Sequence, residues 1–98
     1  MSTKANEHPL VPAFKARDEL SAALSQGKWK RARSRAVRVT KIIKQMVYSR
    51  YQNYDGLFCV GEVAIYKAPE ETQKAVRKMN EWIESAHASV PKKKKKRK

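Results

Sequence analysis

From Trp29 to Val47, apolar residues recur at the spacing of an α-helix. On a wheel turning 100° per residue with Trp29 at zero, Ala32, Ala36, Val39, Ile43 and Met46 fall between about 260° and 340°, and Val47 returns to the origin. Lys30, Arg31, Arg33, Arg35, Arg38, Lys41 and Lys44 fall between about 40° and 240°, on the opposite side. Val37 and Tyr48 interrupt that polar side, and Lys28 and Arg50 sit near the apolar edge. Residues 28–52 contain no Gly and no Pro. The spacing therefore predicts one amphipathic helix over 28–52, roughly 37 Å long at a rise of about 1.5 Å per residue. The β-branched Val37, Val39, Thr40, Ile42 and Ile43 suit a strand, but residues 38, 41 and 44 do not alternate with the apolar positions at period two.

The flanking segments are shorter. Pro12 fits the first turn of a helix, and Phe14, Ala16, Leu20, Ala23 and Leu24 follow it with Asp18 and Glu19 among them. Gly27 supplies a stop, so a first helix is expected at about 12–26. "NYDG" at Asn53–Gly56 reads as a turn. In "LFCVGEVAIYK", two short runs at 57–60 and 63–66 flank Gly61-Glu62 and predict a β-hairpin. Such a hairpin must pack on the helices or pair with a second chain. Pro69, Glu70 and Glu71 open a last helix whose stripe is Thr72, Ala75, Val76, Met79, Trp82, Ile83 and Ala86. The expected fold class is α+β and mostly helical: helix, long basic amphipathic helix, β-hairpin, helix. The expected organisation is a flexible leader over 1–11, a single nucleic-acid-binding domain over 12–90 and a disordered basic tail over 91–98. A chain of 98 residues buries only part of its surface. A homodimer is expected for that reason, with the hairpin and the stripes of the second and third helices as its interface.

Charge changes the picture from fold to partner. Net charge is +14, and the tail Lys92 to Lys98 holds half of it, so the remainder is basic in its own right. Residues 20–54 carry nine cations and no acid. A helix that needs only a wet face mixes signs, because like charges such as Arg31 and Arg35 at i,i+4 cost a few tenths of a kcal/mol. One sign over so many turns points to a polyanion, with nucleic acid first and an acidic membrane surface second. A membrane-surface helix carries bulky apolar groups, and here the early stripe is Ala32 and Ala36. No apolar run reaches the length of a membrane span. The candidate nucleic-acid contacts are Lys30, Arg31, Arg33, Ser34, Arg35, Arg38, Lys41, Lys44, Gln45 and Tyr48. The cations suit phosphates, Ser34 and Gln45 (with Ser49 and Gln52) suit phosphates or 2′-hydroxyls, and Tyr48 is the candidate stacking ring. The alternative for this face is plain solvation.

Other residues divide between core and chemistry. Trp29 is a core anchor or a stacking platform, with Tyr51 and Tyr54 open to the same two roles, and Trp82 is a core or dimer anchor. Cys59, between Phe58 and Val60, reads as a small buried hydrophobe, and a lone cysteine fits a reducing compartment. His8 and His87 have no ligand or triad partner nearby in sequence, and Glu81 and Glu84 read as solvent-facing. No P-loop, dinucleotide fingerprint, metal cluster or nucleophile motif is present. The expectation is a binding protein, not an enzyme, with no cofactor and no metal. "MSTKANEHPLVPAF" lacks a charged start followed by an apolar core, so secretion is not expected.

The tail "PKKKKKRK" resembles a short monopartite nuclear localisation signal of the large T-antigen type, a proline followed by an unbroken basic cluster. The resemblance implies an importin partner for Lys92, Lys93, Lys94, Lys95, Lys96, Arg97 and Lys98, and residence in the nucleus, the cytoplasm or both. A solvated arm that adds phosphate attraction, or an appended tag, has the same composition. In economy (short chain, long basic helix, no catalytic site) the domain is similar to small viral duplex-RNA binders that suppress RNA silencing. That resemblance implies sequence-independent binding of duplex RNA. The competing expectation is a DNA- or chromatin-binding or ribosome-associated structural adaptor, whose basic helix acts within an assembly.

Overall fold

The structure, a computed structural model, describes residues 9–49 and 51–89. Most of the leader, Arg50 and the tail Lys92–Lys98 lie outside the described residues. Three helices carry the fold: α1 (Val11–Ser25), α2 (Trp29–Tyr48) and α3 (Glu70–Ser89). Pro12 sits in the first turn of α1, where its missing N–H costs nothing. Gly27 ends α1 at a φ of 72°, a left-handed conformation that disfavours any side chain. The Gly27 N–H donates to the Leu24 carbonyl at 3.2 Å and the Lys28 N–H to the Ala23 carbonyl at 2.9 Å. This paired closure satisfies the last carbonyls of α1 and swings the chain directly into α2.

Helix α2 is central. It packs against α1 on one side and α3 on the other. Ala32, Ala36, Val39 and Ile43 are fully buried on its inner face, and the two alanines let the neighbouring helices approach closely. Thr40 belongs to the same face and is satisfied by donating back to the Ala36 carbonyl at 2.9 Å. Helix α2 is shorter than the spacing predicts. It stops at Tyr48 instead of 52, and the Tyr51 N–H turns back to the Met46 carbonyl at 2.8 Å. Twenty residues give a helix about 30 Å long.

The fold class differs from the expected α+β. Among the described residues there is no strand, and the molecule is all-α. The predicted hairpin over 57–60 and 63–66 is an irregular connection with one 3₁₀ turn at Glu62–Ala64. Gly61 has a φ of −71° and a ψ of 155°, not the positive φ that the first position of a tight hairpin turn requires. Burial within the runs also lacks period two: Leu57, Val60 and Ile65 are buried, whereas Phe58, Val63 and Tyr66 are exposed. The backbone groups that a partner strand would have taken are taken by side chains. Asn80 accepts from the Val60 N–H at 2.9 Å and donates to the Val60 carbonyl at 2.8 Å. The His87 Nε2 lies 2.8 Å from the Leu57 carbonyl, and the Gln73 amide donates to the carbonyls of Tyr66 (3.2 Å) and Ala68 (3.0 Å). From α1, Arg17 donates to the carbonyls of Phe58 and Cys59.

Gln73, Asn80 and His87 are seven residues apart, which is almost two helical turns, so they stand in one row along α3. The connection runs antiparallel to that row. Each step along the row is about 10.5 Å. Three extended residues, Leu57 to Val60, span about the same distance. The longer stretch from Val60 to Tyr66 has slack, which the 3₁₀ turn absorbs. Tyr54, Leu57, Val60 and Ile65 fill the space between α1 and α3. The interface expected for a homodimer is thus used within the chain: the hairpin does not form, and the stripes of α2 and α3 are buried against each other and the connection.

Cys59 is half-buried in this connection, its thiol 3.5 Å from the Asn80 carbonyl. Burial, and then the nearby Glu84 carboxylate, push its pKa up, and Arg17 opposes them. The thiolate is the reactive form, so Cys59 should alkylate with iodoacetamide at pH 8 more slowly than a free thiol, and as fast as one in denaturant. Equal rates in the folded and unfolded chain would contradict its placement.

Candidate nucleic-acid interface

The outer face of α2 follows from its inner one. With Ala32, Ala36, Val39 and Ile43 inward, the helical period turns Lys30, Arg31, Arg33, Ser34, Arg38, Lys41, Gln45 and Tyr48 to solvent, and all eight are exposed. Val37 lies among them, and Tyr48 is 75% exposed. No acid stands on α2. Arg38 and Lys41 are neighbours at i,i+3, and neither belongs to an ion pair among the described residues.

The two remaining candidates sit at the flanks. Arg35 is half-buried and its guanidinium is 2.7 Å from the Glu19 carboxylate of α1. Lys44 is half-buried on the α3 side, with its ammonium 5.4 Å from the centre of the Trp82 ring. Both are engaged within the chain and hold α2 to its neighbours. They are not part of the free face.

The aromatics divide by position. Trp29 is packed against the core, and its carbonyl accepts from the Thr72 hydroxyl at 3.1 Å, tying the start of α2 to α3. Tyr51 packs edge-on against Tyr54, whose ring is buried and whose hydroxyl burial pushes upward in pKa. Trp82 packs on the same core while one face meets Lys44. Tyr48 alone of these rings stands out on the basic face.

No family model, curated protein or solved structure matches this chain. Its surface must therefore be read from its own chemistry.

Two cations missing from the sequence-based set widen the face. Lys15 of α1 and Arg38 line a groove with Val11, Pro12 and Glu19. Lys78 of α3 lines another with Lys44 and Trp82. Each lies on a helix of mixed charge, so nothing in its local sequence marks it. Only the packing of α1 and α3 beside α2 brings it to the basic side. Two acids lie at these edges: Glu19, paired with Arg35, lines the first groove, and Glu81 lines the second. Glu62 binds Arg77 through two hydrogen bonds of 2.8 and 3.1 Å, which hold its carboxyl below the usual range, and Glu70 faces Lys74 across one helical turn.

No group of three His, Cys, Asp or Glu among the described residues is placed to hold a metal ion. No described helix is long and apolar enough to cross a membrane.

Proposed function

We propose that this protein binds nucleic acid through its phosphates, without strong sequence specificity, and that duplex RNA is its preferred ligand. The observation that carries this is the outer face of α2, where Lys30, Arg31, Arg33, Arg38 and Lys41 stand exposed with no acid among them. The placement of Lys30 and Arg31 adds to it. They occupy the first turn of α2, which has no acid and no side-chain cap, at the positive end of the helix dipole. Each misplaced cation there costs about 0.3–1 kcal/mol, and a bound anion removes that cost. Helix α3 has the usual arrangement, with Glu70 and Glu71 in its first turn.

The helix that carries this row is about 30 Å long and approaches one turn of duplex, roughly 34 Å, with the cations spread over about 17 Å of it. Tyr48, the one exposed ring on the outer face of α2, is a poor platform for single strands, which need successive stacking faces. With α1 and α3 on either side, α2 presents a broad surface that suits the wide, shallow minor groove of A-form RNA. Ser34 and Gln45 lie between the cations, where they can bond 2′-hydroxyls. In this reading the tail Lys92–Lys98 serves nuclear import through an importin, and the preference for duplex does not depend on it. Sequestration of duplexes without regard to sequence is also what suppression of RNA silencing requires.

The test is a binding panel of matched-length duplex RNA, duplex DNA and single strands. Duplex RNA is expected to bind tightest. With five phosphates neutralised, its affinity should fall roughly 10²–10³-fold between about 50 and 200 mM salt. Failure to bind any of the panel at ~100 mM salt would instead favour an adaptor that meets RNA or acidic protein only within an assembly.

A further inference from the structure

The groove between α2 and α3 has features that the outer face of α2 does not. Its walls are Lys44 from α2 and Lys78, Glu81, Trp82 and Ser85 from α3. Lys78 and Ser85 are exposed and seven residues apart, so they share one edge of α3 about 10.5 Å apart along its axis. Trp82 lies between them and is anchored in the core. The Lys44 ammonium rests over its ring at 5.4 Å. A lysine already ordered in this way gives up less side-chain entropy on meeting a ligand than a free one. The Thr72–Trp29 hydrogen bond and the buried stripes of both helices hold the walls in register.

From this arrangement we propose that the α2–α3 groove seats a phosphodiester of a second strand, held by Lys78, Lys44 and the Ser85 hydroxyl, while the outer face of α2 follows the first strand. The proposal rests on the function proposed above. It turns a one-row contact into a two-row contact, which distinguishes a duplex from a single strand. On binding, the phosphate meets the Lys44 ammonium where it rests over the indole. The indole is then the reporter of occupancy. Glu81 stands at the same groove and opposes the anion, so it sets an upper limit on the affinity of this row.

The experiment uses the full chain and 20–25 bp duplex RNA. Lys78→Gln combined with Ser85→Ala changes only exposed side chains, so the fold is retained. The double variant should weaken duplex binding roughly 5–10-fold at ~100 mM salt and make the slope of log affinity against log salt about one unit shallower. Single-strand affinity should not change. Glu81→Gln should tighten duplex binding. In a Trp29→Phe background, emission reports Trp82 alone and should shift when the duplex saturates the protein. Unchanged duplex affinity and slope in the double variant, or an unmoved Trp82 signal at saturation, overturns the groove as a phosphate seat. Binding that survives charge reversal on the outer face of α2 would overturn the functional proposal itself, which is a separate outcome.

Discussion

If the proposed function holds, Arg38→Glu with Lys41→Glu is expected to lower the affinity for duplex RNA roughly 10²–10³-fold at ~100 mM salt and to leave the fold intact. The two residues are exposed neighbours in the middle of the basic face, and α2 carries no acid beside them. Each lost phosphate contact removes about one counterion-release step, close to tenfold at this salt. Reversal also sets two carboxylates against the phosphate backbone, which raises the loss beyond simple neutralisation. Neither side chain touches the buried face formed by Ala32, Ala36, Val39 and Ile43. The thermal midpoint should therefore stay close to that of the parent chain, because surface substitutions away from caps and cores stay within about 0.5 kcal/mol. Deleting Lys92–Lys98 is the informative control. It should lower affinity at low salt and retain preferential duplex binding. If the deletion abolishes binding and the reversal does not, the tail is the binding element and α2 has a different role.

Asn80→Ala is expected to give the largest loss of stability that a single polar substitution can produce here, about 2–4 kcal/mol. The Asn80 amide closes on both backbone groups of Val60, at 2.9 and 2.8 Å, and Val60 is buried. Removing it leaves an N–H and a carbonyl without their partner in the part-buried connection, where water replaces the amide incompletely, at about 1–2 kcal/mol each. A domain of this size has a total stability on the order of 5–10 kcal/mol. With about 4–8 °C lost per kcal/mol, the midpoint should drop by at least 8 °C. Gln73→Ala makes the comparison: its bond to Tyr66 is exposed and only its bond to Ala68 is part-buried, so it should cost about 1 kcal/mol. Equal effects of the two substitutions in urea and thermal unfolding would mean that Asn80 does not clasp the connection in the way its geometry requires.

The contrast between these two sites is also the contrast between what was and was not legible in the chain. Helix α2 was legible because its stripe repeats over several turns and its opposite side carries one charge. Its C-terminal boundary was not, because Ser49 and Gln52 are compatible with a helix and the chain leaves it only when Tyr51 finds the Met46 carbonyl. The ends of α1 and the start of α3 were marked by Gly27 and by Pro69-Glu70-Glu71. The connection misled. Leu57–Val60 and Val63–Tyr66 have strand-like composition, and a hairpin is the local solution for such runs. Yet Gln73, Asn80 and His87 stand in a row at sevenfold spacing on α3, and Arg17 faces them from α1. That row was visible in the sequence as polar residues beside an apolar stripe, but its meaning depended on what lay opposite.

The sequence by itself determined three helices, the inner face of α2 and the sign of the charge on the opposite side of that helix. These depend on periodicity, caps and propensity, which act within a few turns. The tertiary structure decided the rest. Whether the backbone of the connection pairs with itself or with side chains depends on which groups reach it first, and packing put Asn80, His87 and Arg17 there. Whether a cation on α2 is free or engaged depends on the neighbouring helix, so Arg35 turned inward to Glu19 while Arg38, one turn further on, remained exposed. The same packing brought Lys15 and Lys78 to the edges of the basic face, because residues far apart in sequence become neighbours only when helices meet.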